Sequence, residues 1–460
     1  MKNYIWILCA VTLFGCNKFL DVNKDPNNPS AVQEPLLLAP IETGISDFVS
    51  AGNAPIVVEN YLQAIAPNQP NPGIMNYQSF NVDMDGDWFN FYVTCLTNLR
   101  LLNETAEKDS TYNYAGIAKI LSAFTLGTAT DFWGDIPYSA GFTGLVNLTP
   151  VYDKQEDIYK VIQSLLSAGI ADIAKASTKL PLPGSDDYLY EGDMSKWTKL
   201  AYVLKARYFM HLSKAPGANA GVVADSVLEA LANGMTSNDD DFKFKYEGTS
   251  GAENPWNLTF GEVSTYVLNA TFVEGLKNRN DPRLTKMVSP ATTTGLYTGR
   301  TIGTPTEDLH SYSYPTDFYA GAKADNYIVN YSEALFLKAE ATLMKSGAVA
   351  AQAIYQEGII SHMEKLSVTP ANVDAYILLR GTLTGSDALQ LIMEEKNTAN
   401  FLNAENFADW RRTGFPVLTK VTGALSEIPR RLLYPQSEIL TNKQPQQTAK
   451  LTDRLWWDVQ

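Results

Sequence analysis

A mainly α-helical fold is predicted for this chain, with helix pairs of tetratricopeptide type and an irregular, loop-rich region set among them. Three observations predict it. Apolar residues recur at spacings of three and four through most of the chain. Several of these segments follow one another as neighbours, the pattern of antiparallel helix-turn-helix units. Two long stretches, about 238–330 and 414–460, break the pattern with Asn, Thr, Gly, Pro and Tyr.

The chain opens MKNYIWILCAVTLFGC. Tyr4 to Phe14 is apolar but spans only 11 residues, short of the about 20 that cross a bilayer. With Lys2 ahead of it, the run reads as a secretion signal. Gly15 immediately precedes Cys16, and Leu13 sits three residues before it. That is the arrangement of a bacterial lipoprotein signal, so 1–15 is expected to be removed and Cys16 acylated. The alternatives are a plain cleaved secretory signal or a cytosolic protein with a hydrophobic start. Residues 16–35, with three prolines and repeated Asn and Asp, read as a lipidated start and tether. With Cys16 modified, Cys95 has no disulfide partner.

The remainder, 36–460, is expected to form one composite domain. In DGDWFNFYVTCLTNLRLLNETAEK the positions Phe89, Tyr92, Val93, Leu96, Leu99 and Leu102 predict one buried helical face. The next segment, through DFWGDIPYS, is rich in Ala, Gly and Ser, which lets a neighbouring helix come close, and stops at Gly134 and Pro137. QEDIYKVIQSLLSAGIADIAK and MSKWTKLAYVLKARYFMHLSK follow, the latter with Trp197, Leu200, Ala201, Leu204 and Tyr208 on one stripe. NYSEALFLKAEATLMKSG, VAAQAIYQEGIISHMEKL and SDALQLIMEEKNTANFL complete the helices.

The formal charge of −14 argues against nucleic-acid binding, which requires a basic face. His211, His310 and His362 form no zinc motif, and His310 alone falls in a ligand-type loop. Asp83, Asp85 and Asp87 fail the calcium-loop pattern: counting from Asp83, glycine comes fourth and position 12 is Thr94. They are expected to be turn and cap residues. No GxSxG, GxGxxG or GxxxxGK[ST] signature stands in a fitting context. No catalytic residue, metal or cofactor is therefore expected.

What remains is recognition. The chain carries 24 Tyr, 19 Phe and 8 Trp. Rings in proline- and glycine-rich loops suit ligands with apolar faces and hydroxyls. HSYSYPTDFYAG holds Tyr312, Tyr314, Asp317 and Tyr319; NPWN holds Trp256 between Asn254 and Asn257. Trp256, Tyr312, Tyr314, Asp317 and Tyr319 are the candidate ligand contacts; the alternative is that the rings pack the loops onto the helical body.

Together GCNKFLDVNKDPNNP, DFWGDIPYS, NRNDPRL, NYSEALFLKAEA, IPRRLLYPQSEILTN and RLWWD resemble the SusD/RagB family of nutrient-binding outer-membrane lipoproteins of Bacteroidetes. The resemblance runs from Cys16 to the C-terminus. It implies four tetratricopeptide-like helix pairs carrying an irregular binding region. It also implies a lipid-anchored, non-enzymatic cell-surface protein that caps a SusC-like TonB-dependent transporter and captures glycan or peptide. DFWGDIPYS and SEALFLKAEA would then be scaffold. The acidic run that follows the cysteine in many exported relatives is replaced here by Asn17, Lys18 and Phe19, so an inward-facing position is the alternative. A glycan-degrading lipoprotein or a protein-binding scaffold are the other functional classes compatible with the residues.

Overall fold

The computed structural model describes residues 32–70, 73–261, 264–421 and 425–459. The signal segment, Cys16 and nearly all of the expected tether lie outside these described residues. The scaffold is a run of helices: α1 Glu34–Gly44, α2 Asn53–Tyr61, α3 Asn98–Asp109, α4 Tyr112–Trp133, α5 Gln155–Ile173, α6 Met194–His211 and α7 Ala220–Leu231. After a long excursion come α8 Tyr331–Ser346, α9 Ala348–Lys365, α10 Pro370–Arg380, α11 Asp387–Ala399 and α12 Glu405–Thr413. Among the described residues no helix is long and apolar enough to cross a membrane.

Each helix packs on its neighbour in sequence, α3 on α4, α4 on α5, α5 on α6 and α6 on α7. The stack then continues from α7 directly to α8, although 99 residues separate them. Ala206 and Met210 of α6, Ala224 and Val227 of α7, and Leu337 and Ala341 of α8 form the buried seam there. The expected stripe of α6 is buried throughout, with Trp197, Leu200, Ala201, Leu204 and Tyr208 all in the main core.

The small residues of α4 do what their size allows. A Cβ on Gly116 would lie 2.9 Å from the Gly169 carbonyl oxygen of α5, and one on Gly169 would lie 3.0 Å from that of Gly116. The two backbones touch through these glycines, which is why α4 and α5 form so extensive a pair.

The helix read over 85–109 is corrected in register. It starts as an α-turn at Asp85–Phe89, runs as π-helix over Asn90–Thr97, and returns to α-geometry in α3. The i→i+5 spacing adds a residue to the turn and rotates everything before it. Trp88, Phe91 and Cys95 therefore enter the core with Leu96, Leu99 and Leu102, while Phe89 and Val93 are exposed. Cys95 is a free, buried thiol, and burial pushes its pKa up to about 12. Asp83 accepts from Phe80 N, and Asp87 accepts from Ala54 N at the start of α2. Asp87 thus serves the first turn of a neighbouring helix.

Three two-stranded antiparallel ladders organise the excursion: the first ties it to the body, and the other two close within it. Ile65–Pro67 (β1) pairs with Tyr266–Leu268 (β3), Phe242–Phe244 (β2) with Asn326–Val329 (β6), and Val288–Ser289 (β4) with Tyr314–Pro315 (β5). Its own apolar residues join α8–α11 in a second core around Trp256, Phe272, Met287 and Tyr355.

Gly116→Ala and Gly169→Ala are each expected to destabilise the protein by about 1–3 kcal/mol through forced separation of α4 and α5. Because both act on the same contact, chemical denaturation of the double variant should show less than the sum.

Candidate functional site

An open cleft of about 920 Å³ lies on the excursion, between the short helix Pro255–Thr259 and the segment 317–327. Its chemistry comes from Asn257, Asp317, Phe318, Lys323, Asp325 and Tyr327. Asn254 builds one wall: its side chain caps the short helix by accepting from Trp256 N at 2.7 Å and donates to Ala324 O at 2.9 Å. Asn257 donates to Ala320 O at 2.8 Å, which leaves its own carbonyl oxygen available.

Phe318 and Tyr327 stack at 5.7 Å between centroids with planes 12° apart, both half-buried. Lys243 and Lys365 stand 5.2 and 4.8 Å from the Tyr327 ring centroid. Each is neutralised, Lys243 by Asp325 and Lys365 by Asp241, both at 2.6 Å. Burial lowers the Lys365 pKa, with Asp241 opposing it. Asp317 and Lys323 are exposed, and among the described residues their side chains have no hydrogen-bond or ion-pair partner.

The predicted contacts fall at different depths. Asp317 is on the rim. Trp256 and Tyr319 are buried, lining a small internal void that shares Phe318, Asp325 and Tyr327 with the cleft. Tyr319 hydroxyl meets His362 Nε2 at 3.1 Å, and Arg283 Nη1 approaches His362 Nδ1 at 3.1 Å. Tyr312 is buried elsewhere, its hydroxyl accepting from Arg300 at 3.3 Å, and Tyr314 is half-buried against Phe260. His310 is exposed and paired with Asp308. Phe318, Lys323 and Tyr327 were not singled out from sequence. For Phe318 the signal was the FY doublet it forms with Tyr319, since adjacent residues on a single turn face different ways; Lys323 and Tyr327 had none.

Burial, aided by Arg283 and Lys365, holds the His362 pKa well below the ordinary imidazole value of 6.5, so it stays neutral beneath the cleft. Among the described residues no group of three or more His, Cys, Asp or Glu is placed to hold a metal ion.

Residues 26–435 match the model of the SusD-like_2 family, described as "Starch-binding associating with outer membrane". The chain belongs to the SusD-like family. Solved structures show the same fold. A SusD/RagB family protein from Bacteroides thetaiotaomicron superposes with a TM-score of 0.81 at 22% identity, covering 93% of this chain and 99% of that one. A chitin-binding protein gives 0.80 at 23% identity, over 93% of this chain and all of its own. A chitin-binding SusD homolog from Flavobacterium johnsoniae gives 0.77 at 21%, over 93% and 98%. No individually curated protein matches the sequence.

His362 gives this SusD-like protein a signed pH response. Its folded pKa is depressed, so the unfolded chain takes up a proton first as pH falls below about 6.5, and stability is lost in that direction. His362→Gln should remove this component. Denaturation midpoints at pH 7 and pH 5 are expected to differ less in the variant than in the wild type.

Proposed function

We propose that this protein captures an oligomeric nutrient, a glycan in the first instance, without cleaving it. In this reading a lipid on Cys16 holds it at the outer membrane, and it passes the ligand to a SusC-like TonB-dependent transporter. The observation that carries the reading is the stacked Phe318–Tyr327 pair beside the unengaged Asp317 carboxylate and the Asn257 carbonyl oxygen. Ring faces accept the C–H face of a sugar, and the free oxygens accept its hydroxyls. Asp317 is proposed to touch ligand directly. Trp256 and Tyr319 are proposed to hold the wall on which Phe318 and Tyr327 stand, and Tyr312 and Tyr314 to order the loop that leads into Asp317.

A binding role suits the carboxylates. Glycoside hydrolysis generally takes two acidic groups across the scissile bond. Here Asp317 stands free, but Asp325 is held by Lys243 at 2.6 Å. The family description and the similarity in fold to two chitin-binding proteins support the glycan class.

Titration with maltoheptaose and N-acetylchitohexaose tests the proposal. Phe318→Ala and Tyr327→Ala should each weaken binding by roughly threefold to tenfold, the worth of one ring contact. Asp317→Asn should weaken it less, and no reducing ends should accumulate. Unchanged affinity in both ring variants would remove this cleft from the function.

A further inference from the structure

The register shift at the π-helix has a second consequence on the far side of the first core. Phe89 and Val93, turned out to 57% and 48% exposure, form one wall of another cleft. Pro137, Phe142 and Pro150 form the opposite wall. Between them four rings follow in near-parallel order, Tyr152, Trp88, Tyr92 and Phe142. Successive centroids are 6.2, 4.6 and 6.0 Å apart, with planes inclined by 26°, 30° and 22°. Tyr152 and Trp88 are buried, whereas Tyr92 and Phe142 are half-buried and reach the cleft.

Phe142 is held in an unusual state. Its φ is +58°, the left-handed region that a bulky L-residue seldom occupies. Arg100 fixes the conformation by donating to the Phe142 carbonyl oxygen. Strain kept at a ring that faces a cleft points to a use for that ring.

The charged groups of the cleft are both carboxylates. Asp85 Oδ1 accepts from Ser437 N and Oγ at 2.9 and 3.0 Å, and Glu438 Oε2 accepts from the Tyr152 hydroxyl at 2.7 Å. Among the described residues, Asp85 Oδ2 and Glu438 Oε1 receive no hydrogen bond, and no lysine or arginine lines the cleft. The matching ligand has apolar faces and hydrogen-bond donors at their edges. A pyranose has both: its C–H face lies on the rings and its hydroxyls donate to the open carboxylate oxygens. An anionic lipid headgroup would be repelled by the two carboxylates.

We infer that the cleft between Phe89 and Phe142 is a second glycan-binding site, separate from the cleft at Phe318 and Tyr327. The inference rests on the glycan reading proposed above. It gives a polysaccharide two points of attachment on one molecule.

Affinity electrophoresis of the full chain through gels containing soluble starch or glycol chitin tests it. Phe142→Gly removes the ring while relieving the left-handed backbone, since glycine occupies that region without penalty. Phe89→Ala removes an exposed ring and leaves the core intact. Each should weaken retardation by roughly threefold to tenfold, with circular dichroism unchanged, and each should add to the loss from Phe318→Ala. Wild-type retardation of Phe142→Gly and Phe89→Ala, alongside weakened Phe318→Ala, would overturn the second site alone. No retardation of the wild type in either polymer would overturn both sites together.

Discussion

The fold depends on one buried ion pair that closes the stack across the excursion. Arg207 of α6 donates through Nε and Nη2 to the two oxygens of Glu333 in α8, both at 2.7 Å. Both side chains are out of water, so neither charge is tolerable without the other. Glu405 joins them from α12 and meets His211 Nε2 at 2.9 Å, while Asp131 of α4 lies 3.2 Å from His211 Nδ1. Burial works against the imidazolium, but Glu405 and Asp131 outweigh it and raise its pKa to about 9. A parallel set, Lys396 with Asp409 and Arg412 with Glu340, ties α11 and α12 back to α8. Apolar contacts alone would let α8 settle against any exposed helix face. The charges select the one register in which each finds its partner.

That closure is what permits the excursion. With α8 already bonded to α6 and packed on α7, the residues between α7 and α8 need only short ladders to stay in place, and their polar, turn-rich composition suffices. The first cleft therefore stands on a rigid base: β6 leads straight from Tyr327 into Asn330, whose side chain caps α8 by accepting from Glu333 N at 3.0 Å. The cleft and the central ion pair are a few residues apart in one strand-to-helix junction.

Much of the scaffold was legible because its signals are local. The stripe of α6, the glycine stop at Gly134 and the small-residue face of α4 each follow from side chains within a turn or two of one another. Phe89 and Val93 were not legible, because a π-helical run leaves no composition mark and its added residue comes from packing against α1 and the following turn. In the loops, sequence located the right segment and the wrong depth. Phe318 and Tyr319 are chemically alike and adjacent; which one faces solvent is decided by His362, 43 residues further on.

By itself the sequence determined the helix-pair class, the interruptions, the family and the aromatic, polar character of the loops, since periodicity and composition act at short range. Only the tertiary structure decided that α7 meets α8, which rings have open faces, and which carboxylates are already engaged. Those are properties of partners brought together from distant positions. A ring or a carboxylate becomes available to a ligand only when the fold has left it without a partner of its own.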